Sequence, residues 1–110
     1  MQTMKKLTGD ADSMNRYTHS EDLTDATSEP VFLPNTGRDL LVAVLPGQIA
    51  GNKSRVEFTV SDPKKVEANT AAWFPWAAGD ATTNTFAALS GNLTAVRMVS
   101  TGISSWELVV

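Results

Sequence analysis

Residues 71–110 read AAWFPWAAGDATTNTFAALSGNLTAVRMVSTGISSWELVV, and Asp80, Arg97 and Glu107 are the only charges among them. The rest is mostly Ala, Thr, Ser, Val and Trp, with short apolar–polar alternations broken by turn residues. Alternation with a period of two places successive side chains on opposite faces of a strand. The stretch therefore predicts strands over Thr83–Leu89, Leu93–Ser100 and Trp106–Val110, with turns at Ser90-Gly91-Asn92 and around Thr101-Gly102. Pro75 has no N–H for a ladder bond, so residues 70–78 are read as an edge strand or a turn with packed aromatics.

Upstream, Arg55–Ser61 alternates best, with Val56, Phe58 and Val60 on one face and Arg55, Glu57, Thr59 and Ser61 on the other. It reads as a half-buried strand whose polar face meets solvent. Leu40–Leu45 is a continuous apolar run, short enough for a strand buried on both faces. Pro34–Gly37, Pro46-Gly47, Gly51-Asn52 and Asp62-Pro63 are turn signals, and Lys64–Asn69 is a polar connection, either a short helical turn or another edge strand. Turn signals every 8–12 residues between short strands are the pattern of a sandwich or barrel. The expected fold is all-β, a small antiparallel β-sandwich or barrel over residues 31–110.

Residues 1–30 differ. Lys5, Lys6 and Arg16 stand against Asp10, Asp12, Glu21, Asp22, Asp25 and Glu29, a net of −3 that is the whole formal charge of the chain. Met4, Leu7, Met14, Tyr17 and Leu23 are too sparse to build a core. The segment reads as an extended acidic N-terminal arm that orders on a partner.

The function classes narrow by exclusion. The chain has 110 residues, suited to one domain, and no cysteine, which removes disulfides and thiolate chemistry. No run approaches the roughly 20 apolar residues of a membrane helix, and no apolar segment follows Lys5-Lys6 to make an export signal. No basic face offers itself to nucleic acid. His19 is the only histidine, and its polar surroundings offer no fixed partner. Asp10, Asp12 and Glu21 match positions 1, 3 and 12 of a calcium loop, but Met14 and Asn15 stand where a ligand and the glycine belong. Gly79–Thr83 lacks the spacing and lysine of a phosphate loop. Without an export signal, the triplets Asn52-Lys53-Ser54 and Asn92-Leu93-Thr94 read as chance matches to a glycosylation site. No catalytic residue, cofactor or metal is expected. Trp73, Phe74, Trp76 and Trp106 fill a core or an interface, or, as the alternative, stack on sugar rings. Ala and Pro neighbours, rather than residues that read sugar hydroxyls, favour the first reading.

The polar N-terminal segment ahead of a Thr/Ala/Gly-rich β domain resembles small tailed-bacteriophage virion proteins, and Leu93–Val110 resembles the terminal hairpin of capsid-decoration and head-associated sandwich proteins. The resemblance covers roughly the last half of the chain. It implies a structural place on the virion, with the chain itself made in the host cytoplasm. The partner would be the major capsid protein or other virion subunits, and the chain itself a homo-oligomer, with a trimer as one form. Met4, Leu7, Met14, Tyr17, Trp73, Phe74, Trp76, Trp106 and Val110 are the candidate interface residues. The alternatives are a head-to-tail joining, tail or fibre-attachment protein, and, in another class, a carbohydrate-binding module on Trp73, Trp76 and Trp106.

Overall fold

A computed structural model describes residues 5–6, 8–9, 17–34, 38–47, 49–89 and 93–110. The elements are β1 (Lys5–Lys6), β2 (Thr8–Gly9), β3 (Tyr17–Thr24), β4 (Val31–Phe32), β5 (Leu40–Leu45), β6 (Lys53–Thr59), α1 (Pro63–Glu67), β7 (Phe74–Pro75), β8 (Thr85–Leu89), β9 (Ala95–Thr101) and β10 (Ile103–Val109). They form an all-β sandwich of two sheets, ordered β1-β4-β9-β6-β7 and β2-β3-β10-β5-β8. Among the described residues every strand pairing is antiparallel except the short parallel contact of β1 with β4.

The period of two explains the core. Val56 pairs with Met98 and Phe58 with Val96 in the first sheet, while Trp106 pairs with Val44 and Leu108 with Val42 in the second. These residues face the other sheet; all but Phe58 form, with Val31, Leu40 and Trp76, one buried cluster, and Phe58 is partly buried against it. Each fully buried aliphatic side chain there contributes about 1.5–3 kcal/mol by leaving water. Val66 and Ala95 are buried apart from that cluster.

Three expectations change. Leu40–Leu45 is a strand at the expected limits, but it alternates: Leu40, Val42 and Val44 are buried while Leu41 is exposed on the outer face. The pairing of β6 stops at Thr59, because Asp62 caps a helix and Pro63 begins it. Val60 therefore lies outside the ladder and is 64% exposed, not core-facing. The Asp62 carboxylate accepts from the Lys64 N–H at 2.9 Å, an N-cap that with Pro63 at the first turn converts the polar connection into helix.

The third change concerns the arm. Residues 17–24 are not an appendage: β3 pairs with β10 from Ile103↔Thr24 to Val109↔Thr18. Beyond β3 the chain crosses to the first sheet and runs along β9. The Ser28 N–H donates to the Met98 carbonyl at 2.8 Å, its hydroxyl accepts from the Met98 N–H at 2.9 Å, and the Ser100 N–H donates to the Ala26 carbonyl at 2.8 Å. Asp25 fastens the corner, accepting the Gly102 N–H on its carboxylate at 2.7 Å and donating its own N–H to the Gly102 carbonyl at 2.9 Å. Gly102 is required at the tip of the β9–β10 hairpin. Its φ is +77°, and a Cβ there would overlap the Asn52 side chain. The Asn52 amide itself donates to the Pro46 and Ile103 carbonyls.

Candidate interaction surface

The expected interface residues separate into distinct groups. Met4, Leu7 and Met14 lie outside the described residues, as do Asp10 and Asp12 of the calcium-loop spacing, and Tyr17 is placed by its backbone at the start of β3. Trp76 and Trp106 are core, at 2% and 0% exposure. The Trp76 indole N–H donates to the Gly79 carbonyl at 2.6 Å, and that of Trp106 to Glu21 Oε1 at 3.1 Å. Two of the three tryptophans of a sugar platform are thus sealed between the sheets. The sequence could not separate core from interface here, since both bury large aromatics. Val110 is partly buried and packs against the core. Phe74 is half exposed at the β7 edge, 6.1 Å from the Phe58 ring.

Trp73 is held by charge. The Arg97 guanidinium lies 4.3 Å from the centre of its ring, a cation–π stack, and bonds Glu57 Oε1 at 2.8 Å through Nε. Arg55 Nε reaches Glu57 Oε2 at 3.0 Å, and its Nη1 reaches Asp80 at 3.3 Å. Glu57 is thus a carboxylate at 9% exposure, clamped by two arginines on the outer face of the first sheet. That corrects the solvated face read from the alternation. Burial pushes the Glu57 carboxyl up, but the hydrogen bonds and charges of Arg97 and Arg55 outweigh it and hold it below its ordinary value of 4.5.

Glu57→Ala is therefore expected to cost about 1.5–3 kcal/mol, the range for losing hydrogen bonds between charged groups. A depressed carboxylate contributes stability that is present above its unfolded pKa and is lost as pH falls through the folded one. The gap in urea midpoint between the native chain and Glu57→Gln should be full at pH 7 and close in acid below 4.5. Equal gaps at both pH values would show the clamp to be inert.

His19, Glu21 and Leu23 sit on the inner face of β3, with His19 Nε2 3.1 Å from Glu21 Oε1 and its ring edge-on to Trp106 at 5.9 Å. Glu21 spends its carboxylate on Trp106 and His19, a structural task within the sheet. Among the described residues no group of three or more His, Asp or Glu could hold a metal ion, and no helix is long and apolar enough to cross a membrane.

The surface that sequence reading missed lies on the second sheet. Its outer face carries Phe86 at 68% exposure and Leu41 at 40%, with Ala43 and Val109 between β8 and β3. A shallow depression of about 380 Å³ runs over these residues, bordered by Thr18, Ser20 and Glu107. Beside it β8 ends the sheet, paired among the described residues with β5 only. Among the described residues the other three sheet edges are strands of two residues each, one of them holding Pro75. β8 has five residues, no proline and no charge, and the chain carries no charge from Ala81 to Val96. Native sheets usually guard an edge with lysine, proline or a bulge. The uncharged run was visible in the sequence, but its place at an edge was not.

No family model matches the chain, and no curated protein does. Among solved structures, a chain described under "Bacillus endospore appendages form a novel family of disulfide-linked pili" is similar at 12% identity and a TM-score of 0.41, over 86% of this chain and 84% of that one. So slight a likeness says nothing of function.

Proposed function

We propose that this chain is a structural subunit that works by binding other protein subunits, and that its place is on a bacteriophage particle as a capsid decoration or cement protein. One observation carries the binding role: the second sheet joins an unguarded edge strand to an exposed apolar face bearing Phe86 and Leu41. A protein–protein contact needs such a face with a polar rim, and Thr18, Ser20 and Glu107 supply the rim. The virion assignment is supported by the sequence resemblance alone, carried by the polar N-terminal segment ahead of a Thr/Ala/Gly-rich domain and by Leu93–Val110. A head-to-tail or fibre-attachment role would use the same face with fewer copies. The sugar-binding reading has lost Trp76 and Trp106 to the core.

Co-sedimentation tests the assignment. The purified chain, mixed with empty capsids of the phage that encodes it, should pellet with them and saturate at a fixed ratio to the capsid subunit. Phe86→Lys should reduce the bound fraction at least tenfold while leaving the melting transition in place. A chain that stays in the supernatant with empty and filled particles alike ends the virion reading.

A further inference from the structure

The binding reading leaves open what meets the β8 edge, and the geometry points to a second copy of this chain, paired β8 to β8 about a two-fold axis. The inference rests on that reading only in taking the second sheet as the binding surface. In an antiparallel pair centred on Ala87, Phe86 of one copy faces Ala88 of the other, and Thr85 faces Leu89. Within one chain, Phe86 already lies beside the small Ala43, and Ala88 beside Leu41. Large therefore meets small on both sides of the new seam, and no side chain must leave its place.

Charge favours the same partner. An isologous contact buries the same strand from both copies, so any charge on the edge would enter the seam twice, with its like charge within a strand's length of it. The segment from Ala81 to Val96 has none. The backbone groups along the free side of β8 have no partner among the described residues, and a second β8 offers matching N–H and C=O groups over the same length. The outer apolar strips of the two copies then run on as one band across a ten-stranded sheet, two copies of the five-stranded one.

The absence of cysteine gives a clean assay. Ala87→Cys places one thiol on the two-fold axis, beside its own copy, and any disulfide must join two chains. Under mild oxidation this variant should cross-link to a dimer in high yield, while Thr85→Cys, whose copy lies at the far end of the strand, should give at most a tenth as much. Light scattering on the native chain at about 100 µM should report twice the monomer mass, and Ala88→Lys, on the exposed face, should restore the monomer without moving the melting transition. Three results would overturn the inference: a native chain that is monomeric at that concentration, a dimer that survives Ala88→Lys, or equal cross-linking at both cysteine positions. A monomer that still saturates capsids would sink the dimer and leave the proposed function standing. A β8 dimer that ignores capsids would do the reverse.

Discussion

Removing residues 1–29 is expected to abolish cooperative folding. Read from sequence, those residues looked dispensable, because a segment with so few apolar side chains cannot hold a core. In the sandwich they include β3, which pairs with β10 along its whole length. The deletion strips one edge of β10, takes Leu23 off the core, leaves the Trp106 indole N–H without its acceptor, and removes the two hydrogen bonds between Ser28 and Met98. Each buried group left unmatched costs about 1–3 kcal/mol, and domains hold only about 5–15 kcal/mol in total. Circular dichroism of the truncated chain should show no sigmoidal melt, and a synthetic peptide of residues 17–30 should restore one in trans. A truncated chain that melts cooperatively within a few degrees of the full chain would mean that β3 is ornamental.

Trp106→Ala is the point substitution expected to cost most, about 3–5 kcal/mol, as for buried Phe and Trp truncations. Trp106 has no exposed surface and stands between Glu21 on β3 and Val44 on β5. Its loss opens a cavity between the sheets and leaves Glu21 short of a donor. Trp106→Phe separates the two effects: it refills most of the volume and should cost about 1–2 kcal/mol, chiefly the Nε1–Glu21 bond. Urea titration of both variants reads the difference. Equal midpoints for Phe and Ala would place the cost in the hydrogen bond and not in the packing. Removing residues 106–110 takes Trp106 and Leu108 together and should unfold the sandwich outright.

These two cases show what was legible in the sequence. β6 and the final hairpin could be read because their inner positions are mostly apolar and their outer ones mostly polar, an alternation that the buried sheet face imposes, whereas β5 was read from its apolar run, which hid the exposed outer face at Leu41. β3 could not be read. Its sequence, YTHSEDLT, has a single aliphatic residue, Leu23, since the inward residues His19 and Glu21 are polar and satisfy each other and Trp106. Hydrophobic pattern detects only strands that bury hydrocarbon. The Glu57 clamp was hidden for a related reason. Alternation reports which side of a strand is polar, not whether that side is covered, and Arg55, Arg97 and Trp73 come together only when β6, β9 and the approach to β7 do. Val60 was misassigned because the alternation continues one step past the last ladder position.

The order of strands also sets a timetable for biosynthesis. β9 separates β4 from β6, and β10 separates β3 from β5. Each sheet therefore waits for its middle strand, and both middle strands belong to the last hairpin, residues 95–109. A nascent chain that has emerged from the ribosome only as far as β8 can form the β1–β4, β2–β3, β5–β8 and β6–β7 pairs, but no strand yet joins one pair to another within either sheet. Val42, Val44 and Val56 then face solvent or a chaperone. Pairing β3 with β10 closes a loop through most of the chain, and such non-local closures place β-sandwiches in the slow, millisecond-to-second class of folding rates. Ribosomes stalled before residue 95 should carry chains that proteases digest throughout, and protection should appear in one step once the hairpin is released.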